Sequence, residues 1–236
     1  MLEQDLFDAH PIIGESEEKI DLDVVLSVFD GMSCGQLALK QAGMTPRVYY
    51  ASEIEKSPMY ITKKNFPSTI MLGDVTKVVA DDLPHVNLLM GGSPCQGFSF
   101  AGKQLNFDDP RSALFFEFVR LLKECKPDYF LLENVMMKQE YQDIISKYLG
   151  VEPVAINSSL VSAQNRYRLY WANWDITQPD DKGVVLKDIL VEGYGDSVAD
   201  QGTTVKQTNV DKAACLLARD YKGFGNQAMT GVRTCE

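Results

Sequence analysis

One cysteine stands out by its setting. In GGSPCQGFS, Gly91 to Ser99, two glycines, a serine and a proline lead into Cys95, and small polar residues follow. The run is too irregular for a helix and too rich in Gly and Pro for an inner strand. A nucleophilic cysteine needs exposure and a positive or dipolar surrounding that favours its thiolate, and a glycine-rich loop offers the exposure. Such a thiol suits addition to an electron-poor ring carbon. The ring then needs an acid at its nitrogen to accept the charge that develops on attack. Glu133, following YFLL, is placed for that role. In QNRYRLYW, Arg166 and Arg168 alternate with Tyr167 at strand period and are expected on one face. Guanidinium donors there can hold a ring carbonyl oxygen or a phosphate. The plainer alternatives are a surface turn, a helix-capping acid and an ordinary surface arginine pair.

A second set of residues points to a nucleoside. FDGMSCG places glycines between a strand and a helix, where backbone N–H groups approach a ligand closely. It is not the GxGxxG of dinucleotide enzymes. Glu53 is expected to end the next strand, where a carboxylate can bind both hydroxyls of a ribose. Asp74 is expected to end the third strand, within reach of an adenine amino group. Each acid alone reads as a solvated surface carboxylate; the ordered series is what suggests a nucleoside cofactor.

The elements that must position these groups follow from periodicity. Apolar runs at 24–29, 48–52, 70–72, 86–90, 129–132, 154–156 and 169–172 read as strands. Between them, 36–43, 56–65, 111–125 and 140–148 read as helices, the first stopped by Gly43 and the third by Lys126-Pro127. Strands alternating with helices predict an α/β fold with a doubly wound, mainly parallel sheet. Ligands in such sheets sit beyond the carboxyl ends of the strands. The unusual residues fall there: DGMSCG after strand one, Glu53 after two, Gly73-Asp74 after three, GGSPC after four, Glu133-Asn134 after five. The run from Gln96 to Asp109, rich in Gly, Ser, Asn and Asp, is expected to be a loop that closes over the substrate.

The chain has 236 residues, 45% hydrophobic and 24% charged, enough for a sizeable core. No run of eighteen apolar residues predicts a membrane span, and the N-terminus lacks the pattern of a secretory signal. Five cysteines at irregular spacings, with no CxxC pair and only two histidines, argue against a zinc site. Reduced thiols in a cytoplasm fit best. The net charge of −10 looks wrong for a nucleic-acid partner. Yet residues 1–23 hold eight acids and one lysine, so the rest carries only −3. The acidity belongs to an expected N-terminal tail, 1–23. The expected catalytic and cofactor-binding domain is 24–175, and beyond it the alternation fades.

FDGMSCGQLAL, ASEIEK, GDV, GGSPCQGFS, LLENV and QNRYRLYW, in this order, resemble the successive motifs of the DNA (cytosine-5) methyltransferases. The resemblance spans roughly Val25 to Trp171; SPCQGFS and ENV together with QNRYR are its most specific parts. The SPC loop, RSALFFEF and VSAQNRYRLYW resemble phage-type and de novo-type members. The resemblance implies a Rossmann-like S-adenosylmethionine-dependent fold. It implies that Cys95 adds to C6 of a cytosine flipped out of double-stranded DNA, and that Glu133 contacts N3 and the amino group. Arg168 would hold the O2 side, with Arg166 in support. Phe29, Gly31 and Gly35 would shape the cofactor loop, with Pro94 counted among the cofactor-site residues. Glu53 would bind the ribose, and Asp74 and Val75 the adenine. C5 would take the methyl group, and loss of its proton would release Cys95. A restriction-modification or phage setting in a bacterial cytoplasm is implied.

Only 68 residues follow Arg168. Members of the family normally continue with a target-recognition region and a final motif that completes the cofactor pocket. Residues 176–236 are expected to be the start of a truncated target-recognition region, which DKAACLLARDYKGFGNQAMTGVR resembles. Three expectations follow: half of a split enzyme whose partner chain carries the rest, an inactive remnant that binds cofactor, DNA or a partner, or a minimal active form. Methylation of cytosine in transfer RNA, by a related branch of the same fold, is a rival within catalysis, and a folate-dependent pyrimidine-nucleotide methylase is another.

Overall fold

A computed structural model describes residues 22–94, 110–189 and 212. Cys95, the 96–109 run, the N-terminal residues to 21 and, apart from Lys212, residues beyond 189 lie outside it, and with them the expected closing loop and most of the expected tail (1–23) and target-recognition start (176–236). Among the described residues, seven strands form one sheet: β1 (Val24–Val28), β2 (Val48–Ser52), β3 (Ile70–Met71), β4 (Leu88–Gly91), β5 (Tyr129–Val135), β6 (Val154–Asn157) and β7 (Tyr167–Ala172). Their order is β3-β2-β1-β4-β5-β7-β6. The pairs β1–β2, β1–β4, β2–β3 and β4–β5 are parallel. Four helices connect them: α1 (Cys34–Gln41), α2 (Lys56–Asn65), α3 (Pro110–Cys125) and α4 (Gln139–Leu149). The expected α/β, mainly parallel, Rossmann-like architecture is the one present.

The apolar runs become inner strands because both faces are covered. Val24, Leu26 and Val28 of β1 point into one core with Leu89, Phe130 and Leu132 and with Phe115, Phe118, Leu121 and Ile145 of α3 and α4. Val25, on the opposite face, packs with Leu39 of α1, Tyr49, Ala51, Leu88 and Met90. Each fully buried side chain of this kind contributes about 1.5–3 kcal/mol. Helix α4 stops at Gly150, whose left-handed φ of 75° lets its N–H reach Ser146 O at 2.7 Å.

The strand order reverses at β1, whose neighbours are β2 and β4. Their chain continuations part there and open a crevice at the carboxyl ends, the place where ligands enter such sheets. Val28 pairs with Gly91 at this point. A Cβ on Gly91 would lie 2.8 Å from both Val28 Cγ2 and Val28 O, so only glycine lets the two strands approach.

Two expectations change. Strand β5 runs on to Val135, so Glu133 and Asn134 are inside it rather than after it. Burial alternates along its length; the pleat puts Asn134 on the face of Phe130 and Leu132 and Glu133 on the other. Arg166 precedes β7, whereas Arg168 lies within it.

By its contacts the chain divides into two compact units, Met1–Val154 with Leu169–Asp175, and Ala155–Arg168 with Ile176–Glu236. In the second, Asn157 Oδ1 accepts from Ser159 N and Arg166 N, which closes the turn between β6 and β7. The Lys212 ammonium donates to the carbonyls of Ser159, Ser162 and Val184 and ties three segments of that unit together. No helix among the described residues is long and apolar enough to cross a membrane.

Candidate active site

The carboxyl rim of the first unit gathers most of the residues singled out in the sequence. The loop after β1 has an unusual backbone. Phe29, Gly31 and Ser33 all have positive φ, at 57°, 60° and 60°. For the two residues with side chains this costs about 1–3 kcal/mol each unless the surroundings hold them. They do hold them. Asp30 N–H donates to Ser52 O at 3.1 Å. Gly31 N–H donates to Glu53 Oε2 at 2.9 Å. The Asp30 carboxylate turns inward, accepting from the Ser33 hydroxyl and from Tyr49 Oη at 2.9 Å. Ser33 Oγ also lies 3.2 Å from Thr62 Oγ1 of α2, and that hydroxyl donates to Gly31 O at 3.4 Å.

Burial pushes the Asp30 carboxyl above its ordinary value, opposed by hydrogen bonds from Ser33, Ser27 and Tyr49. Burial, then the nearby Asp30 charge, pushes the Tyr49 phenol far above the ordinary range, so it keeps its proton and donates. Gly35, in the first turn of α1, sits over β4: a Cβ there would meet Met90 Sδ at 2.5 Å and Tyr49 Oη at 3.4 Å.

Glu53 lies one residue past β2. Its Oε1 accepts from the N–H groups of Ile54 and Glu55, both at 2.8 Å, while Oε2 takes Gly31 N–H. Three backbone donors thus fix the carboxylate, which has about four lone-pair sites in all. Beside it Ile54 is 68% exposed, an apolar surface at the rim. Asp74 Oδ1 caps a short 3-10 turn, Val75–Lys77, by accepting from Thr76 N at 3.0 Å and Thr76 Oγ1 at 2.8 Å. Those bonds hold its carboxyl below the ordinary range. The Val75 side chain is buried in the core, so this residue meets a ligand only through its backbone. Its carbonyl is taken by Arg120 of α3, Nη2 to O at 3.1 Å.

At β4 and β5 the thiol loop and the acid meet. A Cβ on Gly92 would lie 3.0 Å from Glu133 Oε2, so the carboxylate rests against the backbone three residues before Cys95. Asn134, 2% exposed, donates from Nδ2 to Ser93 O at 3.2 Å and Ser93 Oγ at 3.3 Å. Its Oδ1 accepts from Val135 N at 2.8 Å. The amide therefore anchors GGSP to β5. Pro94, the last described residue before Cys95, is exposed.

Arg166 and Arg168 belong to the second unit. Arg166 is exposed, and its backbone closes the β6–β7 turn. Arg168 is half-buried and donates from Nη1 to Tyr167 O at 2.7 Å. Tyr167 between them is exposed.

Asp30, Tyr49, Arg120 and Asn134 are supporting residues to which sequence reasoning gave no role. Asn134 had a signal, since it stands inside LLENV. The other three had none, because the contacts that give them their role, Tyr49 to Asp30 and Arg120 to Val75, join residues 19 and 45 apart.

The chemical fit to a nucleoside cofactor can be judged from these atoms. A fixed carboxylate suits ribose hydroxyls, and an exposed apolar side chain next to it suits a base. Nothing lies within 4 Å of a Cβ placed on Gly31 or Gly73, so the rim is open at both.

Residues 24–171 match the sequence profile of a family described as C-5 cytosine-specific DNA methylase. The chain is 33% identical over 165 residues to the type II methyltransferase M.NlaIV of Neisseria lactamica, covering 67% of this chain and 38% of that protein. It is 41% identical over 190 residues to the orphan methyltransferase M.Rho11sI of Bacillus phage rho11s, covering 72% and 37%. The matched stretch is thus well under half the length of these relatives. Among solved structures, a prophage-encoded E. coli protein described as a DNA modification methyltransferase is similar with a TM-score of 0.55 at 26% identity, over 66% of this chain and 51% of that one. The S. pombe Dnmt2 methyltransferase shares the fold, with a TM-score of 0.53 at 20% identity, over 72% and 57%.

Proposed function

Because the chain belongs to the C-5 cytosine-specific DNA methylase family, we propose that it carries the catalytic and cofactor-binding part of an enzyme that methylates cytosine C5 in double-stranded DNA. The observation that carries this reading is the Glu133 carboxylate against Gly92, in the loop that leads to Cys95. Nucleophile and acid then come from adjacent parallel strands, at the sheet's ligand-binding edge.

Glu53 would hold the ribose of S-adenosylmethionine, with Asp74 and the Val75 backbone at the adenine and Phe29, Gly31, Gly35 and Pro94 shaping the rest. When bound, that cofactor supplies an electrophilic methyl group. The chain's own part is to make C5 of the base nucleophilic. The Cys95 thiolate would form a bond to C6 of a cytosine swung out of the duplex, moving the ring's electron pair toward C5. Glu133 would hold the proton at N3, which keeps negative charge from building on the ring. Arg168, supported by Arg166, would hold O2. After C5 is substituted, loss of its proton restores the double bond and breaks the Cys95–C6 bond. Swinging the base out costs a few kcal/mol, which contacts of this kind offset.

The test is transfer of labelled methyl from S-adenosylmethionine to unmethylated genomic DNA, with transfer RNA as a second substrate. Label is expected in 5-methylcytosine of DNA, lost in Cys95→Ala and reduced at least a hundredfold in Glu133→Gln. Label retained in Cys95→Ala would overturn the covalent route; label in transfer RNA alone would overturn the substrate.

A further inference from the structure

The cofactor loop is held from underneath by a side chain that touches no ligand in the reading above. We infer that Tyr49 of β2 is a positioning residue for cofactor binding: through Asp30, its hydroxyl holds the Phe29–Ser33 backbone in the shape that presents Gly31 and Glu53. This inference rests on the rim being the S-adenosylmethionine site.

Three observations meet on it. The loop has positive φ at Phe29, Gly31 and Ser33, two of which carry side chains that disfavour it. A short loop with that backbone does not hold its shape unaided. Second, the Asp30 carboxylate, following directly on Phe29, points inward and is gripped by hydroxyls from separate elements. Tyr49 Oη comes from β2 at 2.9 Å, and Ser33 Oγ comes from the far end of the loop. The carboxylate thereby ties the loop's two ends to one strand. Third, the grip leads to the ligand edge without a break. Between Asp30 and Ser33 stands Gly31, whose N–H donates to Glu53 Oε2 and whose carbonyl accepts from Thr62. If Asp30 swings, Gly31 turns, and the Glu53 carboxylate loses one of the three N–H groups that orient it.

Tyr49 is 3% exposed, and its ring packs in the core with Val25, Leu39 and Met90. Phenylalanine keeps that packing and removes only the donor. Neighbouring Tyr50 projects to the other face of the sheet, where it packs against the α3–α4 core, and serves as a control.

The test uses the full chain with Tyr49→Phe, Tyr50→Phe and, should Tyr49→Phe not fold, Ser33→Ala. Two quantities are read: calorimetric binding of S-adenosylhomocysteine, and amide hydrogen exchange without any ligand. Tyr49→Phe is expected to weaken binding on the order of tenfold, the scale of one hydrogen bond to a charged group. It is also expected to speed exchange at Gly31 about tenfold, while the β5 amides stay protected and Tyr50→Phe changes neither quantity. Equal affinity and unchanged Gly31 exchange would overturn the inference. A uniform loss of protection across the sheet with unaltered affinity would also overturn it, since Tyr49 would then be merely structural. If the parent protein binds no S-adenosylhomocysteine, the cofactor reading fails, and with it the role assigned to Tyr49; faster Gly31 exchange in Tyr49→Phe would then show only a loop clamp.

Discussion

The two rims of one sheet are built differently. At the carboxyl rim, polar groups are buried and mutually held: Ser33, Ser93 and Asn134 are all under 5% exposed. The backbone there takes positive φ twice outside glycine, and glycine is required where β1 meets β4. At the amino rim the polar groups are exposed or half-buried and merely extend the strand ladders. Asn87 Oδ1 accepts from Val24 N, Asn173 Oδ1 accepts from Phe130 N, and Asp128 gathers His85 and Asn87. Arg47 pairs with Asp23 through two hydrogen bonds in solvent. The backbone at that rim takes positive φ outside glycine at one residue, Lys126 (45°), where α3 turns toward β5. Buried polarity concentrates where ligands enter, and two positive-φ side-chain residues fall within one five-residue loop there; that difference marks the working edge.

The comparison breaks most forcefully at Gly91. Gly91→Ala drives a methyl into Val28 and should cost about 1–3 kcal/mol of stability by overpacking, read as a lower urea midpoint with unchanged slope. A cost near zero would mean that the two strands can part freely.

Asn134 and Asn173 sharpen it. Asn134→Ala leaves the buried Ser93 carbonyl without its amide donor and should cost about 1–3 kcal/mol. It should also lower methyl transfer, because the thiol loop loses its anchor. Asn173→Ala, at the exposed rim, should cost about 1 kcal/mol or less, with methyl transfer intact. Equal effects on transfer would erase the distinction between the rims.

The rims should also answer pH with opposite signs. Asp30 is raised above its ordinary 3.8, chiefly by burial. Its protonated form is the one the fold favours, so its contribution is full below pH 3.8 and is lost as pH rises through the raised value. Asp128 is lowered from 3.8, first by the Asn87 hydrogen bond and then by His85. Its contribution is present above pH 3.8 and is lost as pH falls through the lowered value. In urea titrations from pH 3 upward, Asp30→Asn should remove a loss on the rising side and Asp128→Asn a loss on the falling side. The same sign in both would refute the assignment. The smallest effect is expected at Arg47→Ala, whose solvent-exposed ion pair is screened by salt; its urea midpoint should match the parent's in 0.5 M salt.

Most elements were legible because periodicity reports burial, and burial here follows regular strands and helices. The errors came where burial and periodicity separate. Glu133 and Asn134 read as the end of a strand because polar residues commonly stop one, yet β5 carries them to Val135. The short 3-10 turns at Val75–Lys77 and Ala80–Asp82 are too brief to show a period. Asp30 drew no reading of its own, because nothing near it in sequence reveals that a tyrosine 19 residues on donates to it.

The sequence by itself determined the alternation of strands and helices, the order in which polar residues meet the strand ends, and the motifs that mark the family. Those are local properties: side-chain period, turn chemistry and residue type at short spacing. Only the tertiary structure decided which strands are neighbours, that Gly91 must be bare to pass Val28, that Glu133 rests on Gly92, and that Asp30 faces inward to Tyr49. Each of these depends on the distance between atoms far apart in the chain. Such distances are set by how two hydrophobic cores close on opposite faces of one sheet.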